Sequence, residues 1–302
     1  MKTGGSVPPQ RGSMNFPETR LARAARAAAL AAMTAAAMAA QAQVIDLHTG
    51  EEISEPVLAE RLRQQDLVLL GELHDNPQHH RVRGELIAHF ARPGTTVVAE
   101  HLPSGARVAA GGPLQSDLEA AGFDAKGWRW PLHQPLFGDI RAQALPLVGG
   151  NLPKGYSKQL MAGGEASLTD ALASSYRQAP LAPAAVARLD GDLVDGHCGQ
   201  LPDKYLAPMR LVQRATDISM ANMLLAHAPA VLVAGNGHVR KDYGVPQVLE
   251  ALAPSLKISS IGFYERGGDR AELIKSLAGR YDYVWLTEGA GRSDPCENFK
   301  LK

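Results

Sequence analysis

The run Leu67-Val68-Leu69-Leu70 constrains the chain more than any other stretch. Four apolar residues closed by Gly71 are too few for a helix and read as a buried strand. A strand with no polar face belongs inside a mostly parallel sheet that helices cover on both sides. Directly after it stand Glu72, His74, Asp75, Asn76-Pro77, His79 and His80. Pro77 keeps Asn76 out of the α region and is tolerated as a first helical residue, which leaves Asn76 free to cap a helix running to Ala91. The order is strand, loaded loop, helix, and open α/β sheets place their sites at the carboxyl ends of strands.

The same rhythm recurs along the chain. Thr95 to Ala99, ending in Glu100 and His101, is a second core strand, and the helix before it is long enough for a right-handed crossover. Ala230 to Ala234, Leu256 to Phe263 and Asp282 to Thr287 read as further strands, with helices around 246–252 and 270–278. Val44 to Leu47 reads as a short edge strand, and residues 55–65 as a helix beside the sheet. Residues 103–227 depart from the pattern: one short strand at Leu145 to Gly149 stands among candidate helices at 168–176, 183–193 and 205–227. These features predict a three-layer α/β/α fold with a mostly parallel sheet, one domain over 43–302, and a large helical insertion over about 103–227.

Residues 1–42 stand apart from that domain. Arg20, Arg23 and Arg26 precede an Ala-rich run from Ala27 to Ala40, and Ala40-Gln41-Ala42 offers small residues for cleavage, the pattern of a secretory signal peptide. The run is shorter than the roughly 20 residues a spanning helix needs, and Gln43 stands where a lipoprotein carries its cysteine. A soluble exported protein is expected. The leader holds Lys2, Arg11, Arg20, Arg23, Arg26 and Glu18 out of 31 basic and 31 acidic residues, so the remainder carries a net charge of about −4. With no basic patch, nucleic acid is excluded as a partner. Cys198 and Cys296 are the only cysteines. In an exported chain such a pair favours a disulfide, the alternative being two buried thiols.

Two strands end in Gly-x-x-His, at Gly71-Glu72-Leu73-His74 and at Gly235-Asn236-Gly237-His238. In a parallel sheet both histidines emerge at one edge, where Glu100 also closes a strand. Glu72 and His74 are two apart and share a side while the chain stays extended. Glu72, His74, Glu100 and His238 are therefore expected in one site: a metal ligand set, a general base with its orienting partner, or a network that merely braces the loops. His79 and His80 lie in the first helical turn, where the macrodipole disfavours imidazolium, and one of them is expected to reach the site. His48, His89 and His227 read as surface residues, and His133, between Trp130-Pro131 and Pro135, stays unassigned. A nucleophile elbow, a His-Glu-x-x-His helix and a complete dinucleotide fingerprint are absent from the sequence, which removes ordinary serine hydrolases, zincins and dinucleotide enzymes.

Over Gly71-Glu72-Leu73-His74-Asp75-Asn76-Pro77-Gln78-His79-His80 the chain resembles the ChaN-like haem-binding uptake family of the Tiki superfamily. Val97-Val98-Ala99-Glu100, Trp130-Pro131, His197-Cys198-Gly199-Gln200-Leu201-Pro202, Gly235-Asn236-Gly237-His238 and Asp294-Pro295-Cys296 carry the resemblance further. It implies an α/β/α fold with a helical insertion and a haem-binding protein of bacterial iron uptake, working as a homodimer that encloses face-to-face haems ligated by tyrosine. It also implies a haem transport system as partner and, without an anchor cysteine, a periplasmic location. Tyr205 and Tyr156 are the candidate ligands, with His74, His79 and His80 as further haem contacts; Tyr283 reads as core. The alternative is a metal-dependent hydrolase, an esterase or peptidase in which a divalent ion on Glu72, His74, Glu100 and His238 activates water.

Overall fold

Leu67–Leu70 lies at the centre of the sheet, with every residue buried and a parallel neighbour on each side. The structure, a computed structural model, describes Met1, residues 43–294, Cys296, Glu297 and Phe299. The signal peptide expected over 1–42 thus lies, Met1 apart, outside the described residues. The strands are β1 (Gln43–Asp46), β2 (Glu52–Ile53), β3 (Leu67–Leu70), β4 (Thr96–Pro103), β5 (Leu147–Asn151), β6 (Ala230–Val233), β7 (Ile258–Glu265) and β8 (Tyr283–Thr287). Among the described residues they form one sheet in the order β2-β1-β8-β7-β3-β6-β4-β5. From β8 to β5 all pairings are parallel, and β1 runs antiparallel to both β8 and β2.

The helices are α1 (Glu55–Arg63), α2 (Pro77–Phe90), α3 (Leu114–Ala120), α4 (Gln134–Ala142), α5 (Tyr156–Gly163), α6 (Asp170–Gln178), α7 (Pro183–Gly196), α8 (Asp203–Ala226), α9 (Val245–Leu252) and α10 (Arg270–Leu277). Strand alternation divides the core into two layers. Leu67 and Leu69 pack with Ala215, Ile218, Leu224, Val248 and Leu249 on the side of α8 and α9. Val68 and Leu70 pack with Leu58, Leu62, Val82, Leu86, Phe137 and Ile140 on the side of α1, α2 and α4. The chain between β4 and β6 therefore serves both faces, with α3 and α4 on one and α5 to α8 on the other. Among the described residues no helix is long and apolar enough to cross a membrane.

Three expectations shift. The strand at Val44 is not an edge, because β2 pairs with it from outside. The strand expected from Leu145 begins at Leu147: Pro146 has no N–H to give the ladder, although its carbonyl accepts from Val97 N at 2.8 Å. The strand expected from Leu256 begins at Ile258, since Leu256 N still closes a turn on Ala253 O at 3.1 Å. The cap at Asn76 is as the sequence predicts, its side-chain oxygen accepting from Gln78 N at 2.9 Å and His79 N at 3.4 Å. Its amide donates to Glu265 Oε1 at 2.7 Å and to the Glu288 carbonyl at 3.1 Å, tying the helix start to the ends of β7 and β8. Cys198 and Cys296 form a disulfide that joins the loop before α8 to the carboxyl-terminal segment.

Candidate functional site

Both Gly-x-x-His loops leave the same sheet edge and are stitched together there. Asn236 N donates to the Glu72 carbonyl at 3.0 Å. The Asn236 side chain pairs with β7 as a strand would, accepting from Phe263 N at 2.9 Å and donating to Phe263 O at 2.6 Å. Gly71 makes room for it, since a Cβ there would stand 2.1 Å from Asn236 Oδ1 and 2.9 Å from Val239 Cγ2. Gly71→Ala is accordingly expected to lower unfolding free energy by about 1–3 kcal/mol through overpacking. Its urea midpoint should fall while the far-ultraviolet circular dichroism keeps its shape; an unchanged midpoint would refute the account.

Glu72 is fully buried and gathers imidazoles. Its Oε1 lies 2.6 Å from His74 Nδ1, 3.3 Å from His101 Nε2 and 3.6 Å from His133 Nε2. Its Oε2 lies 3.1 Å from His80 Nδ1 and contacts the guanidinium of Arg83. Arg83 is itself fully buried and also donates to the His79 carbonyl at 3.2 Å. His80 takes a hydrogen bond from Arg83 on Nδ1 at 3.1 Å and meets the His74 carbonyl through Nε2 at 3.1 Å, which fixes the tautomer with the proton on Nε2. The rings pack closely, His80 tilted against His133 with centroids 3.9 Å apart and His101 edge-on to His133 at 4.6 Å. Trp128, from the loop before α4, covers His101 at 4.3 Å and His74 at 5.2 Å.

Burial sets the charge of this cluster. It pushes His79 and His80 down to about 4 and holds His101 and His133 well below the ordinary histidine range, so all four are neutral at pH 7. Arg83 is pushed down to about 9 by the same cause and stays a cation.

Glu100 and His238 form an adjoining unit. Glu100 Oε2 accepts from Gly235 N at 2.7 Å, and Oε1 lies 3.5 Å from His238 Nε2. His238 Nδ1 lies 2.6 Å from Asp217 Oδ1 and 3.0 Å from Gln213 Nε2. Burial opposes charge on His238, but Glu100 and Asp217 outweigh it and the imidazole is pushed up to about 10. Glu100 is correspondingly held below the usual carboxylate range against the effect of burial. Gly235 lies between His74 and Glu100, since a Cβ on it would stand 2.8 Å from His74 Nε2 and 3.6 Å from Glu100 Oε2. A cleft of roughly 690 Å³, within the range of small-molecule sites, opens over them and is lined by His74, Asp75, Trp128, Gln213, His238 and Arg292.

The predicted residues Glu72, His74, Glu100 and His238 thus meet at one edge, with His74, its side chain 47% exposed, at the mouth. His79 and His80 are buried with both ring nitrogens engaged, His79 through Leu73 N at 3.0 Å and Thr287 Oγ1 at 3.0 Å, so neither offers a free nitrogen to a haem iron. Tyr156 is half-buried, its hydroxyl donating to Ser167 O at 2.6 Å and accepting from Thr169 N at 2.9 Å. Tyr205 is exposed on the first turn of α8. Arg83, His101, His133, Asp217 and Trp128 join the site without having been singled out. Arg83 had a signal, three residues after His80 on the helix face that carries Leu86 and Ile87.

The chain thus has a mostly parallel α/β/α sheet with a carboxylate–imidazole cluster under a cleft at its carboxyl edge. The chain belongs to the haem-binding uptake family of the Tiki superfamily, ChaN, whose model matches residues 58–249. Among solved structures it is similar to one described as cofacial haem binding to ChaN of Campylobacter jejuni. The two are 20% identical, over 82% of this chain and 97% of that one, with a TM-score of 0.66. A crystal structure of a Bacillus cereus protein is a looser match, 12% identical over 78% of this chain and 92% of that one, with a TM-score of 0.43. No curated protein matches the chain.

Proposed function

We propose that the chain is a periplasmic haem-binding protein of bacterial iron uptake, acting as a homodimer that hands haem to a transport system, with Tyr205 as the axial ligand. One observation carries the assignment of the ligand. Of the seven tyrosines, all within the described residues, Tyr205 alone is exposed, at 38%, and its hydroxyl makes no hydrogen bond there. The other hydroxyls of Tyr156, Tyr176, Tyr243, Tyr264 and Tyr281 are held by hydrogen bonds within the chain, and Tyr283 is buried beside Arg61. A tyrosinate suits ferric haem, and a ligand on an open surface suits a haem that a second subunit covers. Lys204, its ammonium 4.9 Å from the Tyr205 ring centre, supplies a cation for a propionate. The export signal read at residues 20–42 supports the location, and family membership supports haem as ligand.

Hemin titration of the purified protein tests this reading. A Soret shift saturating at one haem per chain is expected, together with a shift to dimer in sedimentation. Tyr205→Phe is expected to weaken hemin binding at least tenfold and to abolish the tyrosinate-to-iron charge-transfer band. A Soret response identical in wild type and Tyr205→Phe would remove Tyr205 as ligand, and no saturable response would sink the proposal as a whole.

A further inference from the structure

The geometry points to a ligand for the cleft itself: a small organic monoanion with one carboxylate and an apolar body, the carboxylate held by Arg129 and the body lying against Trp128. Arg129 is the residue that nothing within the chain accounts for. The loop before α4 closes as helices commonly close, with Trp130 N donating to Ala125 O at 2.8 Å and Arg129 N to Lys126 O at 3.2 Å. That pattern puts Arg129 in the left-handed region, at φ 52°, a place that glycine takes without strain and an arginine does not. Among the described residues Cys198 and Ala144 share the conformation. Cys198 carries the disulfide there, while Ala144 has no such task, so the conformation alone assigns nothing. What distinguishes Arg129 is where it stands, exposed and lining the cleft.

Charge pairing singles it out. Of the charged groups that line the cleft, Glu72 meets Arg83, Asp75 meets Arg292 at 3.2 Å, and His238 stands between Glu100 and Asp217. Arg129 alone has no hydrogen bond or ion pair from its side chain among the described residues. A cation without a partner in a concave site, beside the half-buried Trp128 and Leu73, is the combination that fixes one end of a ligand and covers the other. A guanidinium fork fits the two oxygens of a carboxylate. The cleft's own carboxylates limit the charge of that ligand. Glu72 lies at its floor and Asp75, its side chain 31% exposed, in its wall, so a second negative charge on the ligand would be repelled.

A second cleft shares Trp128 as a wall and carries Lys126 and Lys154, but also Glu119 and Asp124, so neither sign of charge prevails in it. The assignment does not rest on the haem reading, because Tyr205 does not line the cleft.

The test titrates the whole chain with naphthoate, followed by calorimetry and by quenching of tryptophan fluorescence. Saturable binding of one molecule per chain is expected, with the quench removed in Trp128→Leu. Methyl naphthoate, which lacks the charge, and naphthyl phosphate, a dianion, should each bind more weakly by about tenfold or more. Arg129→Gly should weaken naphthoate binding by about tenfold or more, and its urea midpoint should not fall, since glycine fits the backbone better. Lys154→Ala, which removes a cation from the second cleft, should bind as wild type. Wild-type protein without a saturable response, equal affinity for the methyl ester, tighter binding of the phosphate, or unchanged binding in Arg129→Gly would each overturn the proposal. So would a quench that survives Trp128→Leu, which would put the probe elsewhere. A lower urea midpoint in Arg129→Gly would assign Arg129 to the scaffold, and an equal loss of binding in Lys154→Ala would mean that the anion reads only general surface charge; either result also overturns it.

Discussion

Glu72→Ala is expected to lower the unfolding free energy by ~3–5 kcal/mol, the cost of stranding a buried charge. The cation left behind is Arg83, whose side chain is fully buried and whose guanidinium touches Glu72 Oε2, the His80 ring and the carbonyls of His79 and Leu70. Those partners hold the arginine inside, so it cannot swing to water when the carboxylate goes. Burial pushes Arg83 down only to about 9, so at pH 7 it stays charged. Arg83→Met alone should be costly for the mirror reason, a carboxylate with no guanidinium among neutral imidazoles. Removing both charges should cost less than the two single losses together, because the desolvation of the pair disappears with it. Urea unfolding at pH 7 of Glu72→Ala, Arg83→Met and the double variant measures this. Strict additivity of the two single effects would show that the pair is not the unit described.

The elements that position this site were largely legible, and the reason is periodicity. Leu67–Leu70, Thr96–Ala99 and Ala230–Val233 are apolar on both faces because they are covered on both faces, and that property is local to each run. The Asn76-Pro77 start was equally local, because capping and the proline restriction act within three residues. The meeting of the two Gly-x-x-His loops followed from parallel strands sharing an edge. Membership of the cluster was harder. Glu100 and His101 are adjacent in β4, and alternation sends them to opposite faces: Glu100 to His238 from the α8 side, His101 to His133 and Phe137 on the α4 side. Which of them met Glu72 depended on where the imidazoles of α2 and of His133, which caps the start of α4, lay, and that is set by packing between layers. His133 reaches Glu72 only because α4 packs against α2, and Asp217 reads as part of the apolar face of α8 until His238 is placed against it. No spacing within a single element carries that information.

Stability should fall steeply below pH 6.5, and the histidines fix the sign. For His79 and His80 the folded value, about 4, lies below the ordinary 6.5, so between these limits the unfolded chain binds more protons. Their contribution is present in full above pH 6.5 and is lost as pH falls towards 4. A drop of that size corresponds to about 3 kcal/mol for each ring. His101 and His133 are lowered by the same burial and act in the same direction. His238 works oppositely: its folded value, about 10, lies above 6.5, so its stabilisation is complete below pH 6.5 and is lost as pH rises through 10. Urea midpoints measured from pH 4 to 10 should therefore trace a dome with its top near neutrality. His79→Asn should flatten the acid limb whatever it does to absolute stability, since the slope reports proton uptake alone, and His238→Gln should flatten the alkaline limb only. An acid limb equally steep in His79→Asn would mean that His79 does not resist protonation in the folded protein. A flattened acid limb in His238→Gln would mean that the two sides of the sheet edge titrate as one unit, against the separation drawn between the Glu72 cluster and the Glu100–His238–Asp217 chain.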